Sequence, residues 1–207
     1  MIAIYQDEGT SWKGAAPDRF LSAADIINGA LDETYTLFIM PGGRDRPYHA
    51  ALKGAGNEKI RAFVENGGTY LGICAGAYYG CKTVQFEKGI PEEICEEREL
   101  AFFSGTAVGP AFGRGNFPVK IGPDLHAHYH DGCLFLGDFS QVRVVARYIE
   151  LAGQPPAIIE CRVGKGKAIL SGVHLELTDF GSQNFSADQV EMQMENDLAR
   201  ICAAIRH

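Results

Sequence analysis

Cys74 stands in Leu71-Gly72-Ile73-Cys74-Ala75-Gly76, with a glycine two residues away on either side. An apolar run leads into it and the helix-capable run Ala77-Tyr78-Tyr79 follows. A strand that turns sharply into a helix strains the backbone of the turning residue, and side chains two residues away would collide there. Such an elbow exposes a nucleophile, and the amides opening the helix favour thiolate, the reactive form. Taken alone, the segment fits a buried cysteine in a Gly-rich packing spot equally well.

Two other segments add to it. His174-Leu175-Glu176 follows the strand-like residues 167–173. At a strand end this spacing can turn an imidazole toward a thiol and set a carboxylate behind it to orient the ring. Alone, the pair reads more simply as an exposed loop. Pro41-Gly42-Gly43 ends the apolar residues 36–40. Ligands collect at the carboxyl ends of strands in a doubly wound sheet. The Gly43 amide could therefore join that of Ala75 as an oxyanion hole, where the bland reading is a Pro-Gly turn. Gly42, Arg44 and Tyr78 are candidates for the substrate pocket, with Asp45 beside Arg44. His126, His128 and His130 alternate and would share one strand face. A polar strand edge is the expectation there, and no metal or cofactor is expected.

These groups need elements to carry them. Residues 2–5, 36–40 and 69–73 are nearly unbroken apolar runs, as in parallel strands covered on both faces. A helix is predicted over 58–65, capped by Asn57, stopped by Asn66-Gly67-Gly68 and burying Ile60, Phe63 and Val64. Residues 86–98 read as an acidic loop, with Glu92-Glu93 and Glu96-Glu97 as solvated charge. Asp131-Gly132 before an apolar run signals a hairpin. Strands are predicted over 141–148, 157–163 and 167–173, with Gly164-Lys165-Gly166 as a turn, and an amphipathic helix over 188–206. The fold class is α/β, a flavodoxin-like doubly wound and mainly parallel sheet with a small antiparallel hairpin region, in one domain over 1–207.

Composition narrows the function. With 46% hydrophobic and 22% charged residues, the chain reads as ordinary soluble protein. Its formal net charge of -7 argues against nucleic acid or an anionic membrane surface as main partner. No apolar stretch approaches the roughly 20 residues of a membrane span, and the start resembles a strand, not a secretory signal. The six cysteines include no CxxC pair, so most are expected to be reduced core residues in the cytoplasm.

The order PGG, GxCxG, HxE resembles the class I glutamine amidotransferase superfamily. Longer stretches resemble the N-terminal domain of yeast-type biotin–protein ligases. They run from Pro41 to Tyr48, Gly54 to Arg61, Gly67 to Gly76, Arg98 to Gly105, Val163 to Ala168 and Leu170 to His174. The resemblance implies a Cys74–His174–Glu176 triad on a flavodoxin-like sheet. In its glutaminases the thiolate attacks a side-chain amide, ammonia leaves and water releases the acyl enzyme. Leu175 replaces the usual Pro, and the short stretch before Pro41 implies an early helix that is reduced or absent. No ligase domain is expected after Ile205, and Phe112-Gly113-Arg114-Gly115-Asn116 is not a biotin and adenylate loop.

The expected function is a cysteine-nucleophile amidohydrolase or amidotransferase-like enzyme acting on a small-molecule amide, not a biotin ligase by itself. The alternative is a non-catalytic regulatory or binding module for a ligase or synthetase partner. A third reading, the peptidase and deglycase branch of the superfamily, would place Glu8 beside the thiol. Substrate identity and oligomeric state stay open.

Overall fold

The computed structural model describes residues 1–89, 93–123 and 125–177. Ile2–Tyr5 and Leu37–Met40, buried along their whole length, lie within a seven-stranded sheet. Its order is Val142–Arg147, Pro156–Val163, Gly166–Ser171, Thr69–Ile73, Leu37–Met40, Ile2–Tyr5 and Arg19–Leu21. The last five in that order run parallel. Pro156–Val163 is antiparallel to both its neighbours. Alternation explains the unbroken apolar runs: Phe38 and Tyr70 face one core, Ile39 and Leu71 the other. Side chains buried so completely stabilise the fold by about 1.5–3 kcal/mol each.

Helices Asp45–Leu52, Ala55–Glu65 and Ala75–Gly80 carry residues of the first core. The early helix is indeed reduced to Ala23–Ile27, closed by a Ser22–Asp25 capping box. The second core takes Val119, Ile121, Ala127 and Tyr129 from an antiparallel pair, Asn116–Gly122 and Leu125–His130. No helix among the described residues is long and apolar enough to cross a membrane.

Three expectations need correcting. Asn57 does not cap its helix: the helix starts at Ala55 with Gly54 as N-cap, and Asn57 is buried inside it. Its side chain donates to Glu99 and accepts from Tyr79, while Glu99 also accepts from the Gly54 amide. Residues 86–98 are not simply a loop. Ile94–Glu97 is the edge strand of a second sheet, ordered Leu134–Leu136, Phe103–Gly109, Cys81–Phe86, Ile94–Glu97. Its acidic residues misled because Glu96 is used in ion pairs with Arg46 and Arg98. Asp131-Gly132 does turn, with Asp131 at φ 53°, but it links two different sheets rather than the arms of a hairpin. Asp45, on the next helix, pairs with buried Arg98 at 2.7 Å. The helix expected over 188–206 lies outside the described residues.

Candidate active site

The sheet register brings the candidate groups together. Met40 pairs with Gly72, and Leu170 and Ser171 pair with Gly72 and Ile73. Three neighbouring parallel strands therefore end side by side. From those ends leave Pro41-Gly42-Gly43, Cys74 and the segment up to His174.

Cys74 has φ 49° and ψ -105°, a conformation that costs a non-glycine residue about 1–3 kcal/mol. Its surroundings hold it there. The Cys74 amide donates to Ser171 O at 2.9 Å, and its carbonyl accepts from the Ala77 and Tyr78 amides. The flanking glycines are needed for close approach: a Cβ at Gly76 would lie 2.0 Å from Met40 O, and one at Gly72 would lie 2.4 Å from Gly76 O. Gly76 donates to Pro41 O at 3.2 Å, tying the helix start to the adjacent strand end. Ala75 is the first helical residue, so its amide has no acceptor within the helix.

Gly42–Gly43 pairs with Thr10–Ser11, and the Tyr48 hydroxyl donates to Gly42 O at 2.7 Å. Gly43 has φ 130°, and a Cβ there would lie 1.9 Å from Gly9 O. Gly42 sits under the histidine: its Cβ would meet His174 Cε1 at 2.8 Å and Cys74 Cβ at 3.7 Å. Gly42→Ala should therefore leave the secondary structure intact but push the ring aside. Alkylation of Cys74, followed by mass spectrometry, is expected to slow at least about ten-fold. An unchanged rate would show that the ring's position does not matter to the thiol.

His174 is buried, and its backbone amide donates to His128 O at 2.8 Å. Nδ1 lies 2.7 Å from Glu176 Oε1, and the Glu176 side chain is only 4% exposed. Leu175 does not disturb this pair. It packs against the second core, and Leu175–Leu177 forms a short 3-10 turn that brings Glu176 back to the ring. Burial, the largest influence on His174, lowers its pKa, but Cys74 and Glu176 together outweigh it and push the pKa up to about 10. Nε2 nevertheless has no aligned hydrogen-bond partner among the described residues. The Cys74 sulfur also lies 3.4 Å from His130 O. Cys74 thus acts on the ring through proximity, while Glu176 acts through a short, buried contact. His128, part-buried near the ring, is shifted down by burial and then by the charges of His174 and His130.

Cys74, Ala75, Gly43 and His174 line one cavity of about 460 Å³, together with Arg44 and Tyr78. Gly42 stands behind it against the ring. Tyr78 donates to Asp131 O at 3.1 Å, so that one face of it is fixed. Glu8 is exposed, 4.0 Å from Arg44, and does not line the cavity. His126, His128 and His130 do share the outward face of their strand, opposite buried Ala127 and Tyr129. Among the described residues no group of three or more His, Cys, Asp or Glu is placed to hold a metal ion.

The family described as "Biotin-protein ligase, N terminal" matches residues 19–122 and 118–204. The chain belongs to this family. An uncharacterized protein of Chlamydia muridarum (strain MoPn / Nigg) is 37% identical over 84% of the chain and 80% of its own length. The biotin–protein ligase of Schizosaccharomyces pombe is 34% identical over 79% of the chain, which spans only 29% of that enzyme. A crystal structure of a glutamine amidotransferase superposes with a TM-score of 0.54 at 23% identity, covering 83% of the chain and 81% of its own. The fold is thus glutamine amidotransferase-like.

In this member of the family, several cavity residues were not legible as site residues. His130, Asp131 and Arg114 come from the two-stranded sheet and its flanks, and Phe86 and Ile94 from the four-stranded second sheet. His130 was visible only as part of the alternating histidines. Nothing local marks Arg114; its place in the cavity depends on how the pair Asn116–Gly122 and Leu125–His130 packs on the second core.

Proposed function

We propose that this chain is a cysteine-nucleophile amidohydrolase or amidotransferase-type enzyme acting on a small carboxamide. Cys74 Sγ attacks the amide carbon, and the amides of Gly43 and Ala75 receive the developing oxyanion. His174 takes the thiol proton and returns it to the leaving nitrogen, so ammonia departs and a thioester remains. Water then adds with His174 as base, and the acid is released. Glu176 holds the ring and favours its imidazolium form. The observation carrying this reading is the buried His174–Glu176 pair at 2.7 Å, beside a cysteine held at φ 49° on the same cavity.

Competitive labelling with iodoacetamide tests it. Cys95 is an exposed free thiol and serves as internal reference. Burial raises Cys81 and Cys133 well above the usual thiol range and pushes Cys161 up to about 12, so these stay protonated. Cys74 is expected to react at least about ten-fold faster than Cys95, and His174→Ala to remove that advantage. Equal rates for Cys74 and Cys95 in the wild-type chain would refute the reading.

A second reading is a non-catalytic module that regulates or binds a ligase or synthetase. The lack of an aligned hydrogen-bond partner for His174 Nε2 among the described residues favours it. The two part on Cys74→Ala: a module keeps its cellular function without the sulfur, whereas an enzyme loses it.

A further inference from the structure

The two oxyanion candidates are aimed by different means. The Ala75 amide is fixed by the helix it opens. The Gly43 amide has no such frame. It belongs to a Gly-Gly peptide, with no Cβ on either side to resist rotation of its plane. The Gly42 carbonyl and the Gly43 N–H lie on opposite sides of that one trans peptide. A group that grips the carbonyl therefore aims the N–H.

The strand pairing shows the direction. Thr10 faces Gly43 in the antiparallel pair of Thr10–Ser11 with Gly42–Gly43. The Thr10 amide donates to Asp7 O at 3.2 Å, and the Arg44 amide to Gly9 O at 2.9 Å. Thr10 and Gly43 thus form the kind of pair that is not bonded directly, whose N–H groups turn away from the facing strand. This pairing leaves the Gly43 N–H to the cavity that Gly43 lines.

Tyr48 grips the carbonyl. Its hydroxyl donates to Gly42 O at 2.7 Å, with Pro41 O and Gly9 O farther away at 3.3 and 3.4 Å. The ring is fully buried, with Tyr5 and Tyr79 edge-on at 5.3 and 6.1 Å. Its helix, Asp45–Leu52, is tied down one turn earlier by the Asp45–Arg98 pair. Burial, with the nearby Cys74 charge adding to it, raises the Tyr48 pKa, so the hydroxyl keeps its proton. Tyr48 does not line the cavity, so its reach into the site runs through this peptide.

We infer that Tyr48 is a positioning residue for the oxyanion site: its hydroxyl, bonded to Gly42 O, locks the Gly42–Gly43 peptide with the N–H toward the cavity. This rests on the reading of Gly43 as an oxyanion donor to chemistry at Cys74.

The test compares the full-length parent with Tyr48→Phe and Tyr5→Phe. The Tyr5 hydroxyl is buried and has no hydrogen-bond partner among the described residues, so its loss is the control. NMR of labelled chains reads the peptide without chemistry. In Tyr48→Phe the Gly42 carbonyl carbon should shift upfield and the Gly43 amide should broaden by exchange; in Tyr5→Phe neither should change. Two thiol reagents then read the site. With p-nitrophenyl acetate the thiolate adds to the ester carbonyl, its oxygen takes the charge, and collapse expels p-nitrophenolate to leave acetyl-Cys74. Iodoacetamide loses iodide at carbon and forms no oxyanion. Losing an oxyanion donor costs about 10²–10³-fold, so Tyr48→Phe should slow acylation of Cys74 at least about ten-fold while alkylation stays within about two-fold. Unmoved Gly42 and Gly43 signals overturn the inference whatever Cys74 does. So does an equal change in both reactions, or a Tyr48→Phe spectrum that loses its dispersion throughout. A Cys74 inert in the parent sinks the nucleophile reading, and the NMR result then decides the positioning by itself.

Discussion

Arg98→Ala is expected to destabilise the chain by about 3–5 kcal/mol, the cost of leaving one member of a buried ion pair without its partner. Arg98 is 3% exposed. Its Nε donates to Asp45 Oδ2 at 2.9 Å, its Nη2 lies 2.9 Å from Glu96, and its Nη1 donates to Glu97 O at 2.8 Å. Burial raises the Asp45 pKa, and Arg98 is the main influence opposing that rise. Without the guanidinium the carboxyl rises further. A carboxyl raised in the folded state contributes stability that is present at low pH and is lost as pH climbs through its folded pKa. The Arg98→Ala defect should therefore deepen between acid and neutral pH, as measured by urea denaturation. Asp45→Asn combined with Arg98→Met removes both charges and should recover most of the loss. A single variant within about 0.5 kcal/mol of the parent at neutral pH would mean that the pair does not anchor the second sheet to the helix after Gly43.

The same pair shows where sequence reasoning worked and where it stopped. The strands at residues 2–5, 36–40 and 69–73 were legible because both faces are covered, so every position is apolar. The elbow was legible because its glycines answer a local steric demand. Ile94–Glu97 was not: an edge strand that alternates half-buried and exposed positions looks like charged loop until Arg46 and Arg98 are placed opposite it. Asn57 was misread for a related reason. Asparagine is a common helix cap, and here its side chain is instead used in a contact 42 residues away. The His174–Glu176 pairing is local, two residues apart, and was readable. The cavity's arginine at 114 depends on how the two-stranded sheet packs beside the strand ends, which local pattern does not encode.

Glu176→Gln is expected to give the largest change in thiol chemistry from a single charge. In the parent chain His174 is pushed up to about 10, against burial, by Cys74 and by the carboxylate at 2.7 Å. The amide keeps the shape and removes the charge, so the imidazolium loses one of its two supports in a buried setting. Alkylation of Cys74 at neutral pH should then fall roughly 100-fold, at the low end of what a positioned base contributes. Stability supplies a readout independent of reactivity. A histidine raised from 6.5 to about 10 adds stability that is fully present below pH 6.5 and is lost as pH rises through 10. Glu176→Gln should flatten that loss, because its histidine binds the proton less tightly, while the Cys74 share persists. Denaturation of both chains at pH 6, 8 and 10 measures the slope, and NMR titration of the ring measures its cause. Parallel slopes with an unchanged ring titration would mean that Glu176 does not set the protonation of His174, and the third member of the arrangement would have to be sought elsewhere.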